Sequence, residues 1–480
     1  MRRICVPLLF LALACQGAFA IGGRIHAEIG LRCVEDHLIP SERMLPGIGE
    51  MFKTVEIKNI LYRACVFPDW GYGGISQDAG EASHWHPFMR AWADVLGEKF
   101  GRKPLDGDAQ KEAAFFLGAV CHNIADLPWH FGEPGHPSFL EMAQREDGAS
   151  HTLAEIGSDL IRYRREPLAH LMRLVDYTPV DTIMAAMDRA GVKVERRLME
   201  TGMRRENIVL WGGVAVGFFK AEDLKKSMPW CVAHVEDYYY GGMRHGAAAC
   251  AVWCRYWYAD ITGGKCLQQM PAYAPWIRGN GGYQPYLGVT DATVAEDLPV
   301  NNTGAESLLE VGGAPGKQRH ALLRFDLASL PADRAFRSAI LWLALANAAP
   351  QDGTVNLAAA AVATPWAEGG GVSDPHNGTD GRAGDGDEVC WNNAPAATGA
   401  LALAAVAAGA AAGTWTGIDV TQTVREWAAN PAKNHGIRVW AVDTPPSKVK
   451  FFSSQAFQAD GSGYCGGERV AHRPMLVILP

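Results

Sequence analysis

The sequence predicts a multidomain protein in which an all-α domain is followed by an all-β sandwich. Three observations carry that expectation. The chain has 480 residues, too many for one ordinary hydrophobic core. From His26 to about Cys266, apolar residues recur at three- and four-residue spacing, the period of a helix face. Beyond residue 286 the apolar runs are short and strand-like, separated by Gly, Asn, Asp and Pro.

The first element is a leader. Arg2 and Arg3 precede the apolar run "VPLLFLALA", which is followed by Ala18-Phe19-Ala20. A basic start, a short apolar core and an A-x-A site read as a signal peptide over residues 1–20, cut after Ala20. The run is too short to span a membrane. Cys15 invites a lipoprotein reading, but Ala12 stands where that signal favours leucine, so cleavage is preferred. A secreted, periplasmic or extracellular protein without a transmembrane segment is expected.

Helices follow over residues 21–267. "AEIGLRCVEDHL", "HPFMRAWADVLGEKF", "QKEAAFFLGAVCHNIAD" and "HTLAEIGSDLIRYRREPLAHLMRLV" carry the period, as do "PVDTIMAAMDRAGVKVERRLM" and "GMRHGAAACAVWCRYWYADI". Residues 268–286, "QQMPAYAPWIRGNGGYQPY", are rich in Pro, Gly and aromatics and read as a linker. Residues 287–480 form the β domain, with strands expected in "HALLRFDLASLP", "RSAILWLALA", "IRVWAV" and "PMLVILP". The Ala-rich stretch 396–413 has helix propensity, yet its glycines and surroundings favour strand and loop.

Hydrophobic content of 48% and charged content of 20% describe a globular chain. A formal charge of −8 weighs against a stable polyanionic partner such as nucleic acid. Leader cleavage leaves nine cysteines, an odd number, so at least one has no partner within the chain. Cys390 and Cys465, the only two in the last third, are the most economical disulfide. Cys250 and Cys254 share a helix face, near Cys231 and Cys266 in sequence. No Cys-x-x-Cys pair is present, which disfavours a thiolate zinc knuckle.

Histidines carry the functional signal. Eight of fifteen fall between residues 26 and 151, and several are paired with acids. In "CHNIADLPWH", His122, Asp126 and His130 stand four residues apart on one helix face. His151 and Glu155 repeat that spacing. Asp69 lies in the turn-like "VFPDWGY", His84 in "EASHWHPF", and His26 five residues after the expected mature terminus. Singly, each has a plain explanation, such as an exposed ion pair for His151 and Glu155 or a turn-stabilising Asp69. Jointly they are the imidazoles and carboxylates that zinc accepts where thiolates are absent. Seven or eight such groups exceed the four needed for one tetrahedral ion, which suggests a multinuclear centre.

The order His26, "FPD" at Asp69, "EASHW" at His84, the HxxxDxxxH of 122–130 and the HxxxE of 151–155 resembles the zinc-dependent phospholipase C superfamily. That group includes bacterial phospholipases C and single-strand-specific nucleases. The wording of "HAEIG", "VFPD", "SHWHPF" and "DLPWH" is most similar to its glycosylphosphatidylinositol-specific phospholipase D branch, over residues 25–265. The resemblance implies a helical domain holding up to three zinc ions. Asp69, His84, His122 and Asp126 would hold the first, and His130, His151 and Glu155 the second. His26, Asp126 and the Ile21 amine would hold the third. Two features depart from the pattern. The phospholipases C and the nucleases begin with Trp, whereas this chain would begin with Ile21. His130 also follows Asp126 more closely than in those branches, as it does in the phospholipase D branch.

Phosphodiester hydrolysis suits such a centre, because zinc lowers the pKa of bound water to about 7 and neutralises charge on phosphate oxygens. Asp69 is the candidate general base or water-orienting group, by position and by resemblance. Trp70, Tyr72, Trp85, Trp129 and Phe131 flank the ligands and suit an apolar rim for a lipid, stacking of bases, or helix packing. The acidic balance favours a phospholipid or lipid-linked glycan, with cleavage on either side of phosphorus. The alternatives are a secreted single-strand nuclease on the same scaffold and a metal- and glycan-binding surface protein without catalysis. "ATVAEDLPVNNTGAESLLEVGG", "HALLRFDLASLP", "VCWNNAP" and "TWTGIDVTQTVREWAANPAKNHGIRV" resemble the DNRLRE-type sandwich grouped with family-96 carbohydrate-binding modules. That likeness implies attachment to a polysaccharide or surface. Trp366, Trp391, Trp415 and Trp427 could offer sugar-stacking faces, although burial is the better reading for most of them.

Overall fold

The computed structural model describes residues 23–133, 135–162, 177–273, 285–328, 330, 335–371, 387–443, 447–456 and 467–480. The chain divides into two compact units. Unit one comprises residues 1–263, 271–285 and 459–471, and unit two residues 264–270, 286–458 and 472–480.

Unit one is helical among its described residues. Its helices are α1 (Gly23–Arg32), α2 (Ile48–Met51), α3 (Val55–Ala64), α4 (Gln77–Ser83), α5 (His86–Phe100) and α6 (Gly107–His130). They continue with α7 (Phe139–Asp147), α8 (His151–Arg162), α9 (Val180–Arg189), α10 (Arg196–Ser227), α11 (Pro229–His234) and α12 (Met243–Ile261). Helix α5 coincides with the expected segment 86–100. Residues 179–199, which read as one periodic stretch, form two helices. The chain turns between them at Gly191, whose φ of +76° is the left-handed conformation glycine tolerates. Residues 163–176 of the segment expected to follow His151 lie outside the described residues.

Helix α6 is the spine. Ala113, Phe116, Leu117, Val120 and Ile124 are buried along it, and α3 and α12 pack against it. At Gly118 the α3 backbone comes so close that an added Cβ would lie 2.3 Å from the Leu61 carbonyl oxygen. Phe67, Trp92, Phe115 and Phe116 add edge-on ring contacts beside it.

Unit two is built from antiparallel sheets. One orders its strands β1-β11-β5-β8 and the other β10-β3-β4-β9-β6-β7, with β2 also pairing β4. The ranges are β1 (Lys265–Gln268), β2 (Val289–Ala295), β3 (Leu308–Gly312), β4 (Arg319–Phe325), β5 (Ser338–Ala344) and β6 (Val355–Val362). They continue as β7 (Ala397–Val406), β8 (Trp415–Asp419), β9 (Ile437–Ala441), β10 (Lys448–Phe452) and β11 (Met475–Leu479), with helix α13 at Thr421–Ala429. Leu341, Leu343 and Ile418 from one sheet meet Leu323, Leu357 and Phe451 from the other in one core. All four segments expected to contain strands do so, and the Ala-rich stretch supplies β7.

The expected boundary shifts by a few residues. Lys265–Gln268 already pair with Met475–Ile478 in the second unit, so the first strand precedes the Pro-, Gly- and aromatic-rich stretch. The cause is that four residues are too few to show a period. Residues 274–284 of the expected linker lie outside the described residues, as do the expected leader and Cys465.

Candidate metal centre

Five segments of unit one bring the predicted donors together. Helix α1 buries His26, fixed in part by the Asp159 Oδ1 that accepts the Ile25 N–H at 2.9 Å. A 3-10 turn at Phe67–Gly71 presents Asp69, and His84 caps the C-terminus of α4. The last two turns of α6 carry His122, Asp126 and His130, and the first turns of α8 carry His151 and Glu155. Pro128 lies inside α6, yet the helix continues to His130, so the four-residue spacing survives. Ile21 lies outside the described residues.

The donors form overlapping triads. Within each of Asp69–His84–His122, His26–His122–Asp126 and His130–His151–Glu155, the candidate ligand atoms lie within 4.8 Å of one another. His84 Nε2 is 3.2 Å from Asp69 Oδ1 and 3.2 Å from His122 Nε2. Asp126 Oδ1 stands between His26 Nε2, at 3.7 Å, and His130 Nε2, at 3.3 Å. Glu155 Oε1 is 3.4 Å from His130 Nε2, and its Oε2 is 3.6 Å from His151 Nδ1. The His26 and His122 rings stack with centroids 3.9 Å apart.

Tautomers decide what this arrangement wants. His84 Nδ1 faces the Gly80 carbonyl at 2.9 Å, and His122 Nδ1 faces the Cys65 carbonyl at 2.8 Å. A carbonyl accepts only, so in the neutral rings each Nδ1 carries the hydrogen and each Nε2 a lone pair. Two lone pairs and the Asp69 carboxylate therefore converge with no hydrogen among them. Backbone carbonyls that fix the far nitrogen are the usual support of a metal-ligating histidine. Two nitrogens on a tetrahedral zinc would lie about 3.3 Å apart, close to what is found here. Both ring nitrogens of His26, Asp126 Oδ1 and His130 Nε2 are buried without a hydrogen-bond partner. Such orphaned polar atoms are costly to bury, and a cation bound among them would satisfy the lone pairs and the carboxylate oxygen. The residues present fit zinc.

The electrostatics divide the donors, and at His84 burial opposes charge but Asp69 outweighs it and raises the imidazole. Burial pushes His26 down to about 4 and His122 down to about 3, so both are neutral near pH 7. Burial opposes charge on His130 too, but Asp126 and Glu155 outweigh it and hold that imidazole up at about 9. Burial would raise Asp126, yet His130, His122 and His26 pull its carboxyl well below the usual range. Burial lifts Glu155 to about 7.

The donors open onto a cleft of about 650 Å³ whose lining includes Asp126, His130, Glu155, Tyr72, Trp85 and Phe131. The flanking aromatics divide into two sets. Trp70 and Trp129 are fully buried, the first donating to Ser83 Oγ at 3.0 Å and the second stacked on Phe139. Tyr72, Trp85 and Phe131 face the cleft instead. The Gly80 and Cys65 carbonyls and Asp159 escaped sequence reasoning. A carbonyl has no residue signature, and Asp159 lies 134 residues from the amide it accepts.

Comparison with known proteins agrees with this geometry. Residues 28–193 match the family model "Zinc dependent phospholipase C", and residues 283–371 match "Carbohydrate-binding module family 96". The N-terminal region is thus similar to zinc-dependent phospholipases C and the C-terminal region to family-96 carbohydrate-binding modules. Among curated proteins, the phosphatidylinositol-glycan-specific phospholipase D of Dictyostelium discoideum is 32% identical over 212 residues, covering 41% of this chain and 21% of that protein. The mouse protein of the same name is 26% identical, covering 49% of this chain and 28% of its own. For the human one the figures are 25%, 49% and 29%. The chain thus spans less than a third of the length of these relatives. No described helix is long and apolar enough to cross a membrane.

Proposed function

We propose that the helical unit hydrolyses phosphodiesters of phospholipid or glycosylphosphatidylinositol type, and that the protein is exported with its C-terminal module serving attachment to a glycan or surface. The observation that carries this reading is the convergence of buried, unpartnered imidazole and carboxylate atoms beside an aromatic-lined cleft. Zinc would be held by Asp69, His84 and His122, by His130, His151 and Glu155, and by His26 with Asp126, the Ile21 amine completing the last set. When bound, zinc supplies Lewis-acid stabilisation of phosphate oxygens and a more acidic water. The chain's own residues do the rest. His26 and His122 remain neutral and keep their lone pairs available, and the Gly80 and Cys65 carbonyls lock the two rings that flank Asp69. The Asp69 carboxylate is placed to take the proton of the attacking water. Tyr72, Trp85 and Phe131 give an apolar edge on which acyl chains rest while the headgroup phosphate faces the donors.

The test is turnover by the zinc-loaded full chain on phosphatidylcholine, phosphatidylinositol, a glycosylphosphatidylinositol lipid and single-stranded DNA. Hydrolysis of a lipid is expected, the products revealing which side of phosphorus is cut. Asp126→Ala should lose the most zinc and reduce turnover to background, because its Oδ1 serves both His26 and His130. Cleavage of DNA alone would replace the lipid reading with a nuclease. Zinc binding with no turnover on any substrate would leave a binding protein.

A further inference from the structure

A second set of donors centres on Cys121, the residue before His122 in α6, and it is made of sulfur. Cys33 follows α1, Cys65 follows α3, Cys121 lies in α6, and Cys250 and Cys254 lie one turn apart in α12. All five are buried. Cys33, Cys121 and Cys254 bring their sulfurs within 4.8 Å of one another, and Cys65 and Cys250 lie near Cys121. Cys121 Sγ lies 3.7 Å from Cys254 Sγ, and Cys250 Sγ lies 3.2 Å from the Cys121 carbonyl oxygen.

A single buried cysteine packs as a small hydrophobe and needs no other explanation. Five from four separate segments, converging on one of their number, are a different matter. Zinc–sulfur bonds of about 2.3 Å place two sulfurs of a tetrahedral site about 3.8 Å apart, the spacing found between Cys121 and Cys254. Thiolates in a dry apolar interior select soft cations, zinc and copper(I) among them. The Arg255 guanidinium, fully buried beside Cys33, contributes positive charge against the negative charge that thiolates would accumulate.

We propose that Cys33, Cys121 and Cys254, with Cys65 or Cys250 as a further ligand, bind a thiophilic d10 cation, zinc(II) or copper(I), at a structural site separate from the histidine–carboxylate centre. Binding is ligand exchange without change of oxidation state, each coordinating thiol releasing its proton to solvent. The site ties the segment after α1 to α6 and α12, and to α3 where Cys65 is the further ligand. It also steadies the neighbouring centre, because Cys65 offers its thiol to the cluster and its carbonyl to His122 Nδ1.

The experiment uses the full chain, reduced and reconstituted in separate samples with zinc(II) and with copper(I). Metal content is counted, and X-ray absorption reads the ligand shell. A metal–sulfur shell near 2.3 Å is expected, together with one equivalent of metal that a Cys33→Ala/Cys254→Ala variant loses. Cys390→Ala, which alters the β unit, should lose none. His130→Ala should reduce nitrogen and oxygen scattering while leaving the sulfur shell, which separates failure of this proposal from failure of the catalytic one. Absorption on the unsubstituted chain keeps the test sound if the double variant does not fold. No sulfur shell with either metal would overturn the proposal. So would peptide mapping that finds Cys121 and Cys254 joined as a disulfide in protein purified without reductant.

Discussion

The two units differ in where their unpartnered polar atoms gather. In the β unit, Glu310 takes Lys448 at 2.7 Å and Lys450 at 2.9 Å, and Trp366, one of the tryptophans considered for stacking on sugar, donates its indole N–H to the His435 carbonyl at 2.7 Å. Trp427 is buried as well. In the helical unit, His26, Asp126 and His130 are left with unpartnered atoms in one place. Satisfied polar groups hold a fold, whereas orphaned ones that converge ask for a ligand. Asp291 is the acidic exception in the β unit, where Thr290 and Asn434 also carry buried atoms without a partner. Its Oδ2 accepts the Ser454 N–H at 2.7 Å while its Oδ1 is buried without a partner.

The largest expected effect tests that exception. Burial pushes the Asp291 carboxyl up to about 8, so near neutrality the folded protein keeps it protonated while the unfolded chain ionises it. The unfolded state then binds fewer protons, and stability falls as pH rises from about 4 to about 8. Asp291→Asn keeps an acceptor for Ser454 and has nothing to ionise. It should stabilise the β unit at pH 8 by on the order of a few kcal/mol and flatten the slope, as read by denaturant melts of the full chain across that range. An unchanged slope would show that Asp291 is charged in the fold, and the contrast between units would weaken.

A smaller effect is expected in the helical unit. Gly118→Ala drives a Cβ against the Leu61 carbonyl, a backbone group that cannot swing away. It should cost about 1–3 kcal/mol and lower zinc content, because the α3–α6 contact also sets the Cys65 carbonyl against His122. Calorimetry should show the helical transition shifting while that of the β unit stays. Joint movement of both would mean that the units do not unfold separately.

The same contrast explains what the sequence disclosed. Helix α5 and strands β4, β5, β9 and β11 stood out because each has a period or composition long enough to detect. The donors of α6 and α8 stood out because ligands four residues apart are local signals. His26 and Asp69 carry no such spacing, and their place in the site came from the order of motifs in a family. The sulfur cluster left no local signal for the same physical reason. The absence of Cys-x-x-Cys bears only on a knuckle of near neighbours, whereas Cys33, Cys121 and Cys254 meet only through helix packing. Cys231 and Cys266, near Cys250 in sequence, lie beside Ser158 and Met475 instead. Trp70 and Trp129 could not be told from Trp85 and Phe131 in sequence, because exposure depends on what the next helix covers.

That last division supports the smallest prediction. Phe131 follows the final ligand of α6, is 41% exposed, and lines the cleft. Its ring lies 6.3 Å from that of His130, near enough to share the cleft, and it bonds to no donor through its side chain. Full burial of such a ring is worth about 1.5–3 kcal/mol, so covering its exposed part against acyl chains is worth about 1 kcal/mol. Phe131→Ala should therefore slow hydrolysis of phospholipid vesicles about fivefold, while zinc content and the melting transition stay unchanged. Trp129→Ala, which empties a fully buried site stacked on Phe139, should instead destabilise the helical unit and reduce turnover on every substrate alike. A short-chain phospholipid below its micellar concentration discriminates between the two, because it presents no bilayer for Phe131 to enter. Equal slowing of Phe131→Ala on vesicles and on the soluble lipid would show that the ring supports the centre itself and not the edge of a lipid surface.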